Sequence, residues 1–581
     1  MDIRVGDEFL TQAAAAARTH LPACRPVAPT IGLGAALFVG GSLHWSNDSW
    51  RAVMGPAPPG IAHQTMLQKR RFVVSADATG RAVFAAIAPR RLAASWPGFA
   101  HAPSTPNAIA ALCFTPSRVA DFPELAARAY ALSPQQRATL AALLASSDLD
   151  EAAAQLGLTL AGLRRRMRAL FEATGSSRLA VLIANMTRIV ADECVSDWAR
   201  AEGLREALDL TAGEARVAVR LFEGASIPDI AGDLGLSAHT VRDQARAVLG
   251  KCGLSRLRDL CLFGAEALAL IALAVSDEIL HDDREDLLAA TRISASGARR
   301  IAFTDYGPLD ARPVLLFHGG LGTRRVGLAL REALQARGFR PIGFDRPGFG
   351  LTDMASSRDP FHAGAEDGEH LVRTLGLDRL DILAIDGGAA PALEFAARSA
   401  CRLNSIMLIS PRPPRPARSG ARLVDQFVRA CVDQPALIVG AYRFLRRRGG
   451  VALSEMLVRS LIGEHPLDRP LIEDERFRHA MIAELLTCGA RTAAGLEAEQ
   501  THYPDWRIPS LPPGPRYVLV LGGKDPLWGE SNAGEFCPWS QLPALERARF
   551  AAAGRFIITT HASEIAALLD RPVQTPSLSA P

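Results

Sequence analysis

The spacing of hydrophobic and polar residues changes along the 581-residue chain. Residues 1–127 carry short apolar runs broken by glycine, proline and alanine, which predicts a small α+β domain. Residues 128–276 read as nearly continuous helix. After a charged linker at 277–298, apolar strands alternate with helices through 299–581, which predicts a parallel sheet with helices on its faces. A long helical insertion at about 420–505 interrupts this C-terminal α/β domain. The pattern therefore predicts a multidomain chain with an all-α middle.

One pattern occurs twice in the helical middle. The stretch beginning "LSPQQRATLAALL" at Leu132 and the stretch beginning "LTAGEARVAVRLF" at Leu210 keep the same register, 78 residues apart. Each contains the tripeptide Leu-Gly-Leu at the same place. Because this register holds over the full length of both stretches, it predicts one helical fold used in two copies, residues 128–200 and 205–276.

The second copy has the order helix, glycine turn, helix. Gly235 permits a sharp turn, and Ser237 is able to cap the helix that follows. A helix that enters the major groove of DNA contacts bases from its N-terminal part. The candidate DNA-contacting residues are therefore His239, Thr240, Arg242, Asp243 and Arg246.

This second copy resembles the DNA-binding domain of LuxR-type transcription regulators. The residues that carry the resemblance are Leu-Gly-Leu-Ser, Thr-Val-Arg and the closing Lys-Cys-Gly-Leu-Ser-Arg. The resemblance implies a helix-turn-helix regulator that binds DNA as a homodimer. It also implies that the long apolar helix from Arg256 to Val275 supplies the dimer seam, as the last helix does in that family.

The first copy is less similar to that family. It has Gly162-Leu163 in place of Thr-Val, followed by a dense basic patch. Arginine side chains of this kind contact DNA phosphates. The patch consists of Arg164, Arg165, Arg166 and Arg168. Three interpretations stay open: a second DNA reader, a phosphate clamp, or a structural relic packed against the other copy.

The N-terminal segment shows strand, turn, strand and helix from Gly34 to Gly55, and two later strands from Arg71 to Pro89. It resembles the opening of a PAS-type sensor domain, in which a strand ends in His-x-x-Asn before a helix. The matching residues here are His44 and Asn47. A PAS-like sensor and a small α+β packing domain are both compatible with this pattern.

In the C-terminal segment, three strands end in residues suited to chemistry. The strand "PVLLF" leads into His-Gly-Gly at 318–320, the strand "LDILAI" leads into Asp386 and a glycine turn, and "RYVLVLGG" precedes Asp525. This order resembles the α/β-hydrolase fold from Arg299 to Leu569, with the insertion as its lid. The resemblance implies Asp386 at the nucleophile position and Asp525 as the triad acid. It also implies oxyanion-binding amides at Gly319 or Gly320 and at Gly387.

The position of the catalytic histidine separates two hypotheses. Hydrolases of this fold carry a Gly-His-Phe-like turn, where this chain has Gly554-Arg555-Phe556. A guanidinium stays protonated and cannot act as a general base. In the first hypothesis the domain is not catalytic, and Asp386 and Arg555 bind a small molecule together with the oxyanion glycines. In the second, "RFIITT" is a strand that presents His561 as the base.

The second hypothesis would give an active hydrolase. Asp386 would attack an ester, epoxide or halide as haloalkane dehalogenases and epoxide hydrolases do, forming an ester that a histidine-activated water cleaves. Asp525 and His561 would complete its catalytic set. A third possibility is an assembly module that uses the hydrolase fold as an interface.

Composition narrows the function without identifying it. Hydrophobic residues make up 48% and charged residues 22% of the chain, which is typical of a globular protein. A net charge of +4 means that DNA affinity must come from local patches. The 9 cysteines lack any C-x-x-C pair, and no metal site or cofactor is predicted. The charged start "MDIRVGDEFL" and the short apolar run Cys261–Val275 predict a cytoplasmic protein without a membrane span.

Overall fold

The computed structural model describes residues 2–4 and 32–571 apart from a set of gaps. The gaps are residues 56–57, 68–69, 94–95, 97, 100, 116–120, 147, 192–196, 255–256, 276–283, 298, 413–435, 438–439, 441–450, 464–465, 489–493, 526–527 and 529–537. The chain divides into two compact units. The N-terminal unit comprises residues 27–284 and 444–452, and the C-terminal unit comprises residues 1–26, 285–443 and 453–581. Strand β1 (Asp2–Arg4) therefore belongs to the C-terminal unit.

A five-stranded antiparallel sheet begins the N-terminal unit, in the order β3-β2-β6-β5-β4. Its strands and the two helices that follow β3 are β2 (Leu33–Val39), β3 (Ser42–Ser46), α1 (Asp48–Met54), α2 (Pro59–Leu67), β4 (Phe72–Ala76), β5 (Ala82–Pro89) and β6 (Ile109–Phe114). The Asn47 side chain caps α1 by accepting from Trp50 N at 2.9 Å, and it also accepts from Ala35 N at 3.1 Å. Asn47 thus ties the start of the helix to strand β2, and the predicted strand–turn–strand–helix order is present.

Ten helices among the described residues complete this unit. They are α3 (Asp121–Ala129), α4 (Pro134–Ala145), α5 (Leu149–Gln155), α6 (Leu160–Thr174), α7 (Leu179–Ala191), α8 (Asp197–Leu208), α9 (Ala212–Phe222), α10 (Ile227–Leu234), α11 (Ala238–Lys251) and α12 (Leu257–Val275). Helices α9 to α12 each begin 78 residues after the corresponding helix of the set α4 to α7. The repeat seen in the sequence is therefore a repeat of four-helix units, with α8 between them.

Both copies make the turn between their second and third helices in the same way. Gly157 and Gly235 have φ angles of 62° and 64°, in the left-handed region that glycine enters without a steric penalty. A hydroxyl then caps the third helix in each copy: Thr159 accepts from Gly162 N at 3.2 Å, and Ser237 accepts from Thr240 N at 3.0 Å. The same local interactions thus position α6 and α11.

Helix α12 is buried inside the N-terminal unit, contrary to its predicted role as a dimer seam. From Leu260 to Ala274 every residue except Leu262 is buried. The helix packs against α7, α8 and α9 and against strands β5 and β6, and the ring of Phe263 lies 6.2 Å from that of Phe84. Its apolar surface is already covered by its own chain, so the seam prediction is wrong for this helix.

A nine-stranded sheet, in the order β1-β14-β13-β12-β11-β9-β10-β8-β7, forms the centre of the C-terminal unit. Its remaining strands are β7 (Thr291–Ser296), β8 (Arg299–Asp305), β9 (Arg312–Phe317), β10 (Phe339–Phe344), β11 (Arg379–Ile385), β12 (Arg402–Ile409), β13 (Arg516–Gly522) and β14 (Glu546–Phe550). Strands β9 to β14 and β1 run parallel, whereas β8 and β7 are antiparallel at one edge. The described helices that lie wholly or mostly in this unit are α13 (Arg284–Ala290), α14 (Leu328–Gln335), α15 (Pro360–Thr374), α16 (Ala389–Arg398), α17 (Val451–Gly463), α18 (Pro470–Glu473), α19 (Glu475–Cys488), α20 (Ala494–His502), α21 (Ile557–Thr560) and α22 (Ala562–Leu569).

Both faces of this sheet are covered, as the predicted doubly wound arrangement requires. Alternate residues of β9 point into different cores, because side chains of a strand alternate between its faces. Leu315 and Phe317 pack with residues of α15 and α16, whereas Val314 and Leu316 pack with residues of α14 and α22. The two layers of helices leave the carboxyl ends of the parallel strands as the edge where a site is expected.

The structure corrects two predicted boundaries. Thr291–Ser296 is a strand of the sheet, so the α/β domain begins before Arg299 and much of the predicted linker 277–298 is structured. Strand β1 pairs with β14, so residues 1–127 are not one domain. Helices α17 to α20 occupy the predicted lid, whose first part lies outside the described residues.

Among the described residues, no helix combines the length and hydropathy needed to cross a membrane.

Candidate functional site

A tight turn joins strand β11 to helix α16 and carries Asp386. Asp386 has a φ angle of 48°, in the left-handed region where residues other than glycine are strained. At Gly388 a side-chain carbon would lie 2.4 Å from the carbonyl oxygen of Phe317, so the close approach to strand β9 requires glycine. The turn has the geometry of a nucleophile elbow, with an aspartate in the position of the nucleophile.

The side chain of Arg555 bridges two carboxylates, an arrangement that we call the Asp–Arg–Asp bridge. Its Nη2 donates to Asp386 Oδ1 at 2.5 Å, and its Nη1 donates to Asp525 Oδ2 at 3.1 Å. Nη1 also lies 3.2 Å from the carbonyl oxygen of Ser410. The side chains of Asp386, Arg555 and Asp525 are 31%, 18% and 0% exposed. Three strand ends, β11, β13 and the segment after β14, thus bring the predicted residues together.

Asp386 and Arg555 both keep their charges in this bridge. Burial raises the pKa of the Asp386 carboxyl, but the Arg555 charge and the amides of Gly320 and Gly387 outweigh burial, so this pKa lies below its ordinary value. Gly320 N lies 3.2 Å from Asp386 Oδ2. Burial also lowers the pKa of Arg555, but the charges of Asp525 and Asp386 dominate and raise it above its ordinary range. The site therefore holds a permanent cation where a hydrolase needs a neutral base.

Asp468, in the lid segment, holds the backbone that carries Arg555. Its Oδ2 accepts from Arg555 N at 2.8 Å, and its Oδ1 accepts from Phe556 N at 3.4 Å. Asp468 is 1% exposed, and the ring of Phe477 in α19 packs edge-on against Phe556. The lid thus positions the guanidinium. No sequence motif had pointed to Asp468, because its partner amides lie almost ninety residues away.

A second arginine and a tyrosine lie beside Asp386. Arg412 N donates to the Asp386 carbonyl at 3.3 Å, and the Arg412 guanidinium lies over the ring of Tyr503 at 4.3 Å. The Tyr503 hydroxyl donates to the Arg412 carbonyl at 3.1 Å. Burial raises the pKa of Tyr503, and the negative charge of Asp386 adds to this effect. The sequence motifs had pointed to neither residue.

The two histidines nearest to these motifs are engaged elsewhere. The segment "RFIITT" is not a strand: a turn at Arg555 and Phe556 leads into helix α21, and His561 follows that helix. The His561 ring lies 2.8 Å from the Thr560 hydroxyl and packs edge-on against Phe550. In the described part of the chain it makes no hydrogen bond to Asp386 or Asp525. The predicted strand is wrong because the glycine turn before Arg555 leads directly into a helix.

His318, which precedes Gly319 and Gly320, also has hydrogen-bond partners at both of its ring nitrogens. Its Nε2 lies 3.1 Å from Arg346 N, and its Nδ1 lies 2.8 Å from the Gly319 carbonyl. Burial and the neighbouring Arg346 charge hold the pKa of His318 well below its ordinary value. Arg346 in turn forms a buried two-point ion pair with Glu499 of α20, at 2.7 and 2.8 Å. The loop beneath the oxyanion glycines is therefore anchored to the lid.

The candidate DNA-contacting residues of the second copy lie on α11. His239 and Arg246 have side chains 83% and 76% exposed, and both pair with Asp243, at 2.8 and 3.1 Å. Arg242 is exposed, whereas Thr240 is partly buried and shares a hydrogen bond with the Ser237 hydroxyl. On α6 of the first copy, three of the four arginines are exposed and one is partly buried. The exposed ones are Arg164, Arg165 and Arg168, and the partly buried one is Arg166.

The C-terminal unit is an α/β-hydrolase-fold domain. Residues 312–468 match the family described as alpha/beta hydrolase fold. A haloalkane dehalogenase from Psychrobacter cryohalolentis is 29% identical over 109 residues, which are 18% of this chain and 36% of that relative. The chain thus spans about a third of the length of the curated relative that it matches.

Solved structures of the same fold cover about half of the chain. An alpha/beta hydrolase fold protein from Nakamurella multipartita is 20% identical with a TM-score of 0.36, covering 48% of this chain and 98% of that one. An esterase from Exiguobacterium antarcticum is 16% identical with a TM-score of 0.35, covering 47% of this chain and 94% of that one.

Proposed function

We propose that this chain is a DNA-binding transcription regulator whose α/β-hydrolase domain binds a small molecule without hydrolysing it. The observation that carries the second half of the proposal is the Asp–Arg–Asp bridge. A hydrolase of this fold needs a neutral base between its nucleophile and its acid. Here a guanidinium contacts both carboxylates, at 2.5 and 3.1 Å. In the part of the chain that the structure describes, the site keeps the framework of a hydrolase and has a guanidinium at the position of the group that moves protons.

The bridge defines the polar end of the ligand. Arg555 offers donors, the partly exposed Asp386 carboxylate offers acceptors, and the amides of Gly320 and Gly387 already point at that carboxylate. The neighbouring pair of Arg412 and Tyr503 adds a cation and an aromatic ring. A small molecule with a hydrogen-bonding or anionic head fits this set. Binding of this molecule under helices α17 to α20 would change the conformation of the lid. The changed lid would in turn change the DNA affinity of the regulator.

Support for DNA binding comes from helix α11 and the turn before it. The helix is capped by Ser237, follows the left-handed Gly235 and exposes His239, Arg242 and Arg246 on one surface. This is the arrangement by which a helix-turn-helix places side chains in the major groove. The LuxR-type assignment of this copy and the PAS-like assignment of the N-terminal sheet belong to this proposal.

Replacing Arg242 by alanine is expected to weaken operator binding by about 1–3 kcal/mol, since Arg242 is the exposed arginine of α11 that Asp243 does not pair. Fluorescence anisotropy with a duplex selected by the full-length chain measures the loss. The matched control is Arg81→Ala, which removes an exposed arginine that lies directly before strand β5 of the same unit. Unchanged affinity in Arg242→Ala would show that α11 is not the recognition helix.

An active hydrolase that uses Asp386 is the second candidate, favoured by the similarity to a haloalkane dehalogenase. We expect purified protein to turn over neither p-nitrophenyl acetate nor a bromoalkane above a buffer blank. The reason is that His561 bonds Thr560 and does not reach Asp386. Turnover that disappears in His561→Ala, or an ester adduct on Asp386 detected by mass spectrometry, would establish the second candidate instead.

The pH dependence of stability also separates the two candidates. A carboxyl whose folded pKa is depressed stabilises the fold above its unfolded pKa of about 3.9, and this contribution is lost as pH falls through the folded pKa. The melting difference between the wild type and Asp386→Asn is therefore expected to be constant from about pH 5 to 8, and to shrink only below about pH 4. Thermal unfolding across this range measures it. An inflection between pH 6 and 7 would indicate coupling to a histidine.

A further inference from the structure

The two helix-turn-helix copies present equivalent surfaces. Along the first two turns of α6 and α11 the order of exposed, partly buried and buried residues is the same, with Leu163 and Val241 as the buried anchors. Arg164 of the first copy corresponds to Arg242 of the second, and both are exposed. Arg168 corresponds to Arg246 in the same way. A copy that served only for packing would not need two exposed arginines at the positions of the candidate DNA-contacting arginines in the second copy.

The two copies are held together within one compact unit. Helix α7, the last of the first copy, packs against α12, the last of the second. Arg178 in the first copy donates to the carbonyl oxygen of Gly224 in the second, and a side-chain carbon on Gly224 would lie 3.0 Å from Val181. Arg188 and Glu223 add a partly buried ion pair at 3.6 Å. This contact between copies occupies the surface of α12 that a second chain was expected to cover.

Helices α6 and α11 differ in the charge and hydrogen-bonding groups of their exposed side chains. Residues 161–168 carry four arginines and no acid, a formal charge of +4, whereas residues 239–246 carry two arginines and Asp243, a charge of +1 with histidine neutral. The first turn of α6 has Ala161 and Gly162, which offer no side-chain donor or acceptor to a base edge. The first turn of α11 has His239 and Thr240, which do. One helix is suited to phosphates and the other to bases.

We infer that a single chain makes both contacts with its DNA site: α11 reads base edges in one segment of the duplex, and α6 clamps the phosphates of a neighbouring segment. This inference rests on the proposed DNA-binding function. It replaces the homodimer with an internal pair of copies whose relative position is set by the packing of α7 on α12. The DNA site is then asymmetric, with one specified segment and one flank that is bound irrespective of sequence.

The test uses the full-length chain and duplexes of about 30 base pairs, long enough for two segments one helical turn apart. Wild-type protein selects a duplex from a random library, and sedimentation measures how many chains bind it. We expect one chain per duplex and a selected sequence that is not a palindrome. Two chains on a palindromic site would overturn the inference and leave the proposed function intact. A wild type that enriches no duplex would overturn both.

The double variant Arg164→Ala with Arg168→Ala tests the role of the first copy. Its affinity is expected to fall by the same factor on the selected duplex and on a scrambled one. The slope of log K against log salt should become shallower by about 2, because two phosphate contacts are lost. Arg242→Ala, in contrast, should lower the ratio of selected to scrambled affinity, and Arg81→Ala should change neither quantity. If the double variant retains the wild-type affinity and slope, the first copy does not contact DNA.

Discussion

Arg555→Ala is expected to destabilise the C-terminal unit and to abolish its response to ligand. The substitution leaves Asp386 and Asp525 without their shared cation, and the Asp525 side chain is 0% exposed. Removing one partner of a buried ion pair typically costs about 3–5 kcal/mol, because the remaining charge stays desolvated. Asp386 contributes the smaller part of this loss, since its 31% exposure lets water screen it.

Denaturant unfolding of the wild type, Arg555→Ala and the control Arg379→Ala measures this effect. Arg379 is an exposed arginine at the start of β11, so its removal is expected to change little. The response is followed as the shift in melting temperature when a small-molecule library is added, and as transcription from a reporter. Equal unfolding and an intact response in Arg555→Ala would mean that the bridge neither stabilises the domain nor binds its ligand.

Local sequence patterns were sufficient to predict the elements that hold the site. Strand β11 is buried almost throughout, as expected of a strand in a covered parallel sheet, and a small-residue turn and an apolar helix follow it directly. The resemblance to the α/β-hydrolase fold, and not local pattern, placed Gly554-Arg555-Phe556 at the position of the missing histidine, and Arg555 does contact Asp386. The turn before the third helix of each copy was predictable because a neighbouring hydroxyl, Thr159 or Ser237, caps that helix.

Features that depend on distant partners could not be predicted in this way. Strand β1 pairs with β14 near the other end of the chain, and three residues carry too little pattern to show it. Helix α12 has the same apolar sequence whether its cover is another chain or the sheet of its own unit. Asp468 positions Arg555 through backbone amides, which leave no trace in side-chain motifs. In each case the sequence does not show which distant residues the strand, helix or side chain contacts.

The changes that separate this site from a hydrolase triad involve two side chains. Asp525 contacts residue 555 from the position that the resemblance assigns to the acid, and the Gly320 and Gly387 amides lie beside the side chain of residue 386. The double substitution Asp386→Ser with Arg555→His would supply a hydroxyl nucleophile and a neutral imidazole. Because it removes one positive and one negative charge together, it should also destabilise the domain less than Arg555→Ala. The double variant is therefore expected to fold.

We expect this double variant to hydrolyse p-nitrophenyl acetate about 100-fold faster than Asp386→Ser alone, since a positioned general base contributes 10²–10⁴-fold. Asp386→Ser alone keeps the guanidinium beside residue 386, so it is the control for the double variant. Turnover should be lost on acidification as the new imidazole is protonated. A folded double variant with no turnover would show that residue 555 does not hold an imidazole within reach of residue 386. The backbone at residue 555 would then differ from the backbone that carries the histidine in a hydrolase.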